Sequence, residues 1–369
     1  MNIVILDVAL RRGMAMKLNR ESIFYGTLLL TCTSIFSQLL GFVYRILLSR
    51  LIGAEIMGLY QLIMPVFSVL LSLTAVGLTA AVSNLSSTFC TLGDLPSLFQ
   101  MRRRCLAAFL LLLLPCAAVV LLFSDPISVY LLGDARTQLG LILLLPCILL
   151  TGVENLHKHY FYGIGNVCPP AIVEICEQFI RTGAVLGLLA VVLPQNPERT
   201  VGMIVLGMII CEVFSSVTLV HLVHRQIRGI PRCRSTPDTS ASLNRRIASI
   251  ALPVGLTSLL GNLMGSANAV LIPRRLVAAG IPVSQAMSDF GVLCGMTIPM
   301  LCLPTAFIGA LGLILAPKLA GSTALCRGDL IRRRIHKAML ATSVITMPAM
   351  AILVVLGPAI GQLLFREAA

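Results

Sequence analysis

Nine runs of about 20 predominantly apolar residues follow one another along this chain, each long enough to cross the roughly 30 Å hydrocarbon core of a bilayer as a helix. They cover Ser22–Leu48, Met57–Leu85, Cys105–Phe123, Leu139–Tyr162, Pro170–Leu193, Val201–Val223, Ile247–Ile272, Phe290–Ala316 and Ala338–Leu356. The spacing predicts an all-α fold, a polytopic membrane helix bundle. Composition agrees: hydrophobic residues make up 57% of the chain and charged ones 12%, against roughly 45–50% and about 25% in soluble domains.

Most connections are short and carry turn chemistry, as at Gly133-Asp134, Pro194-Gln195-Asn196-Pro197 and Gly280-Ile281-Pro282. The one longer polar segment, Arg225 to Arg246, separates six spans from three. The expected organisation is a first lobe over 17–224, a basic inter-lobe loop over 225–246 and a partial second lobe over 247–369.

The net charge of +13 is a topology signal rather than a nucleic-acid footprint, since the chain has no Trp, few aromatics and basic residues scattered among apolar spans. With the N-terminus inside, twenty Lys and Arg fall on the inner side, including Arg102–Arg104 and six arginines of the long loop. Six fall outside: Arg50, Arg136, Arg199, Arg274, Arg275 and Arg366. This asymmetry predicts a cytoplasmic N-terminus in a cytoplasmic membrane. The 12 cysteines stand singly within apolar runs or loops, with no CxxC pair, and are expected to be small packing residues. Only a brief apolar run precedes Arg11 and Arg12, so no cleavable signal peptide is expected; Met14 and Met16 are alternative starts.

Two basic residues, Arg45 and Arg181, are left inside spans, where arginine costs roughly 2.5–3.5 kcal/mol at the centre even on the lenient insertion scale. Ser34, Gln38, Gly41 and Arg45 recur at spacings of four, three and four, which places them on one helical stripe. Gln61, Pro65, Ser68, Ser72, Thr79 and Ser83 form a similar face on the second span. On the fifth span VEICEQFIRT sets Glu174, Glu177, Gln178 and Arg181 on one face, with a weaker patch at Glu212, Ser215 and Ser216 on the sixth. Hydroxyls in such stripes serve as interhelical hydrogen-bond glue. The ionisable members point instead to a water-filled path, with Glu174, Glu177, Arg181 and Glu212 as ion or charge-relay candidates. Arg45, lacking an acidic neighbour on its own helix, is expected to pair with Glu174 or Glu177 or with a bound anion.

Pro65, Pro253, Pro299 and Pro304 interrupt spans, and Gly261 and Gly265 form a GxxxG. SVLLSLTAVGLTAAVSNL and MLCLPTAFIGALGLILAPKL share a TA-x-G core one span after the opening of each lobe, a faint parallel repeat.

LGFVYRILLSRLIGAEIMGLYQL followed by PVFSVLLSLTAVG resembles the opening of the stage V sporulation protein B-like oligosaccharide flippases, within the superfamily of multidrug, oligosaccharide-lipid and polysaccharide exporters. VEICEQFIRT, LIPRRLVAAG and GMTIPMLCLPTAFIGAL resemble the same family at the corresponding places. The related lipid II flippases are similar through FSQLLGF and SRLIGA, but tend to carry arginines where this chain has Gln38 and Tyr44. The resemblance implies two six-helix lobes around a central cavity, alternating access and a lipid-linked sugar as cargo. This chain has nine spans against the family's twelve, so its second lobe is expected to be half present and its transport alone impaired.

The expected function is translocation of an undecaprenyl-pyrophosphate-linked oligosaccharide or a peptidoglycan precursor such as lipid II, with membrane lipids and a coupling cation as further partners. A pyrophosphate in a low-dielectric cavity needs cationic forks, which makes Arg45 the first candidate, with Gln38 and Gln61 beside it. Arg50, Arg274 and Arg275 stand at outer helix ends, placed either to receive the head group or to anchor at the interface. A cation-coupled multidrug exporter and an inactive truncated membrane protein are the alternatives. A polyprenyl-phosphate enzyme is disfavoured because no DxxD-type carboxylate pair lies on an inner loop, and no cofactor or metal is expected. His157-Lys158-His159 beside Glu154 is expected to be an interfacial helix cap.

Overall fold

The computed structural model describes residues 20–92, 94–191, 196–228, 240–302, 308 and 328–365. Every regular element among them is helical.

α1 (Arg20–Leu71) contains the first surprise, because no loop separates the first two crossings. A single residue, Gly53, breaks the helix with φ 76° and ψ 174°, a conformation that a Cβ would strain. Tyr44 and Tyr60 belong to one packed cluster on either side of this bend, whereas in a straight helix they would lie about 24 Å apart. The second crossing continues through a π-helical turn, Ser72–Val76, into α2 (Gly77–Leu92).

α3 (Leu95–Leu122) starts on a cap: Asp94 Oδ1 accepts from the Ser97 amide at 3.2 Å, and Pro96 sits in the first turn. A single turn at Ser124–Pro126, a π segment at Ile127–Leu132 and a 3₁₀ turn at Ala135–Thr137 lead into α4 (Gln138–Gly163). α5 (Cys168–Val191), α6 (Pro197–Arg228) and α7 (Ser240–Ala278) follow. α8 (Val283–Phe290) runs on into a π segment at Gly291–Thr297, and α9 (Gly328–Phe365) is the last described helix. Each of the nine expected spans coincides with described helix, the eighth only to residue 302 and at 308, so the repeat core proposed for it lies outside the described residues.

The packed centre is built mostly from α1–α6, joined by Leu243 and Ile247 of α7 and Met287 and Phe290 of α8. Tyr160, Phe161, Phe89, Phe109, Leu59 and Leu62 are fully or almost fully buried there, and α6 packs most extensively on α4 and α5. By contrast, none of the most apolar window of α9 is buried among the described residues, against 44% of that in the first crossings. α7 is laid along α2 at a close crossing, where a Cβ on Gly77 would stand 2.2 Å from the Ala251 carbonyl oxygen. The GxxxG does not act this way: Gly261 and Gly265 have nothing within 4 Å. Its spacing permits close approach, but among the described residues no helix comes near.

Ten cysteines lie within the described residues and all are free thiols, several of them buried in the helix contacts.

Candidate functional site

The i,i+4 repeat of an α-helix brings an acid and a base together on two neighbouring helices. On α4, Lys158 Nζ lies 2.9 Å from Glu154 Oε1. On α5, Arg181 Nη2 donates to Glu177 Oε1. α6 supplies the third wall: Arg181 Nη2 also reaches Glu212 Oε1 at 3.4 Å, and its Nε reaches the Cys211 thiol at 3.4 Å. The Glu154 carboxyl neighbours those of both Glu177 and Glu212.

Glu154, Glu177 and Glu212 are only 2%, 6% and 3% exposed. Charges buried to that degree persist when they are paired. Three carboxylates face two cations here, so the fully ionised cluster carries one negative charge in excess. Glu212 Oε2 is buried without a hydrogen-bond partner in the structure, which is where that excess is felt. Glu177, Glu212 and Cys211 bring ligand atoms within 4.8 Å of one another, but Arg181 already donates to all three side chains and supplies the positive charge a metal would bring.

Sequence spacing anticipated Glu177, Arg181 and Glu212, but not the whole assembly. Glu174 is half-buried and forms no ion pair among the described residues; the missing members are Glu154 and Lys158. His157-Lys158-His159 is not an interfacial cap. His157 is buried, the Nδ1 atoms of His157 and His159 donate to the Val153 and Asn155 carbonyls of their own helix at 2.7 and 2.9 Å, and Lys158 turns into the cluster. The signal that could have found them is the Glu154–Lys158 spacing, which repeats that of Glu177 and Arg181.

Arg45 differs in every respect. On the first limb of α1 the packed face is Thr33, Ser37, Tyr44 and Leu48, and the Ser34–Gln38–Gly41–Arg45 stripe lies beside it. Gln38 is exposed, Ser34 and Arg45 are half-buried, and nothing lies within 4 Å of a Cβ on Gly41. Arg45 forms no hydrogen bond or ion pair among the described residues. Its expected partner is otherwise engaged: Glu177 pairs with Arg181. Arg45 does neighbour the Tyr60 phenol, as does Arg181, so one tyrosine links the open stripe to the closed cluster. The Tyr60 hydroxyl itself points to Met208 Sδ at 3.5 Å.

The remaining candidates do not converge on Arg45. Gln61 is half-buried against Gly295 of the π segment after α8. Arg50 donates from Nε and Nη2 to the Leu364 and Leu363 carbonyls at 2.5 and 2.6 Å, closing the orphan end of α9. Arg274 Nη2 donates to the Leu131 carbonyl at 3.0 Å, and Arg275 is exposed with no partner among the described residues. Arg136 pairs with Glu55 and Asp134, both at 2.7 Å. Most hydroxyls of the second crossing bond back to their own helix, as Ser68 does to Met64, Ser72 to Val69 and Thr79 to Val76; the cross-helix contact from Ser266 to the Pro65 carbonyl is long at 3.4 Å.

Solved structures of membrane transporters share this helical fold. An inward-facing multidrug resistance MATE family transporter of the MOP superfamily superposes with a TM-score of 0.66 at 15% identity, over 90% of this chain and 73% of that one. A MOP superfamily transporter from Pyrococcus furiosus, whose binding pocket is described as reversed in polarity, gives 0.64 at 14% identity, over 94% and 75%. Residues 23–304 match the family described as Polysaccharide biosynthesis protein, and the chain belongs to that family. It is 24% identical over 322 residues to Stage V sporulation protein B of Bacillus subtilis (strain 168), covering 87% of this chain and spanning 62% of that relative's length. Sporulation protein YkvU of the same organism is 21% identical over 329 residues, 88% of this chain and 71% of that protein.

Proposed function

We propose that the chain is a flippase, or the membrane core of one, that moves an anionic lipid-linked saccharide across the cytoplasmic membrane by alternating access. An undecaprenyl-pyrophosphate-linked oligosaccharide or a precursor such as lipid II is the cargo class. The observation that carries this reading is Arg45: a half-buried guanidinium in a spanning helix, without an anion among the described residues. Such a group is stabilised by an anion or by water, and a pyrophosphate accepts the two parallel bonds that its planar fork offers. Family membership supports the sugar-lipid chemistry. Orientation follows the positive-inside asymmetry, with the N-terminus cytoplasmic, the 225–246 loop on the same side and the six-plus-three division of lobes at that loop.

The test measures membrane abundance and binding of a lipid-linked pyrophosphate saccharide for Arg45→Ala and Arg45→Lys. The expected result is normal abundance for both, binding lost by roughly tenfold or more in the alanine variant, a charge-assisted bond being worth about 1.5–3 kcal/mol, and partial recovery in the lysine variant. Unchanged binding per molecule in Arg45→Ala removes the cargo role.

A second reading, cation coupling, is favoured by the single negative charge in excess among Glu154, Glu177, Glu212, Lys158 and Arg181. There a proton or monovalent cation would balance the cluster, as a multidrug exporter would also require. Transport that does not respond to an imposed proton or sodium gradient would remove it.

A further inference from the structure

At one face of the bundle α2, α3 and α7 leave between them a cleft of about 740 Å³ that has no role in the proposed translocation path. Its walls are Ala107, Ala108, Leu111 and Leu112 of α3 against Ala248, Leu252 and Leu256 of α7, and its floor is the π turn at Ser72–Val76 with Leu78 beyond. Along α7 the lining runs from Asn244 to Leu259, about 22 Å of helix. That exceeds the roughly 15 Å of one leaflet's hydrocarbon.

The cleft is mostly apolar along its length, with the Ser72 and Thr74 hydroxyls of its floor turned back to the Val69 and Leu70 carbonyls, and it is charged at one end only. There Arg104 donates to Asn244 Oδ1 at 2.7 Å, tying α3 to α7, and Arg246 lies over the Phe89 ring with 5.1 Å to the centroid, tying α7 to α2. Arg103 and Arg245 flank these two and are exposed. Arg104 thus lines one end of a hydrocarbon-lined slot, with the exposed Arg103 and Arg245 next to its lining residues Arg104 and Asn244 in the chain.

We propose that this cleft holds one anionic phospholipid, its phosphate among Arg103, Arg104 and Arg245 and an acyl chain along α7. Lipid chemistry follows from the two ends together: a free phosphate would meet the charged end and leave the slot empty, whereas an uncharged lipid would fill the slot and offer no anion to the exposed Arg103 and Arg245. The lipid is a resident one, separate from the cargo assigned to Arg45. It bridges the first six helices to α7 at their arginine-bearing ends, where the protein makes the Arg104–Asn244 bond.

Native mass spectrometry of the full chain, purified in detergent and equilibrated with vesicles of equal phosphatidylglycerol and phosphatidylcholine, tests this. The expected result is one phosphatidylglycerol retained per chain, and inorganic phosphate unable to displace it. Arg103→Gln and Arg245→Gln, which leave the Arg104–Asn244 bond intact, should each weaken retention about fivefold. Ala107→Phe with Ala248→Phe fills the slot from its exposed walls and should abolish retention while the protein stays monodisperse with an unchanged melting temperature. Equal retention of both lipids, or undiminished retention in the filled variant, marks ordinary annular lipid only and overturns the proposal. Arg45→Ala serves as the control: retention unchanged there while cargo binding falls separates this site from the flippase reading, and retention that falls with it overturns the separate site.

Discussion

The helices α1–α6 treat their buried charges in two opposite ways. Between α4, α5 and α6, Lys158 and Arg181 are each held by carboxylates from their own or a neighbouring helix. On α1, Arg45 is half-buried and has no hydrogen bond or ion pair among the described residues. Both arginines neighbour the Tyr60 phenol, so the contrast does not arise from distance across the molecule. It arises from what each is offered: Arg181 is satisfied before any ligand arrives, and Arg45 is not. Breaking a saturated pair strands a buried charge. An unsaturated one is where binding free energy can still be gained.

The largest expected effect therefore falls on the saturated side. Arg181→Leu leaves Glu177 and Glu212 buried without their cation, which should cost about 3–5 kcal/mol and appear as lost membrane abundance and a lowered melting temperature. A variant that accumulates and melts normally would erase the distinction between the two regions. Lys158→Met should behave similarly but restore part of its stability when combined with Glu154→Gln, because the second change removes the orphaned carboxylate; a double-mutant cycle with no coupling would show that the α4 pair is dispensable. Arg45→Ala should shift stability by less than about 0.5 kcal/mol, within the range of ordinary surface changes, and act on cargo binding alone. The smallest effect belongs to Glu174→Gln, for which neither melting temperature nor transport should change measurably, since Glu174 has no ion pair to lose among the described residues. A transport defect there would extend the cluster one turn along α5.

The helices were legible because apolarity over about twenty residues is a one-dimensional signal that no tertiary detail can hide. The joint between the first two expected spans was not. Nothing in Arg50-Leu51-Ile52-Gly53-Ala54 marks a chain break as opposed to a loop, and only the dihedrals of Gly53 show that one residue suffices. The cluster was half legible for a related reason. Glu177 and Arg181 stand on a span with no competing explanation, whereas Lys158 follows His157 near a helix end, where a basic residue is normally an orientation signal. Burial alone distinguishes the two cases, and burial is a property of what packs alongside. Arg50 shows the same limit: its charge and its place at a helix end were readable, but not that the end of α9, more than 300 residues away, would supply two carbonyls to it.

Gly53 also makes the first crossing a lever. The limb from Arg20 to Ile52 is about 50 Å long at 1.5 Å per residue and is joined to the next crossing at one residue, with no loop between them. A change of roughly 10° at that residue displaces the far end by about 9 Å but Arg45, eight residues away, by only about 2 Å. A large opening at one membrane face is thus compatible with a guanidinium that hardly leaves the side of Tyr60. Gear ratio, as much as charge, is written into the choice of a glycine at that position.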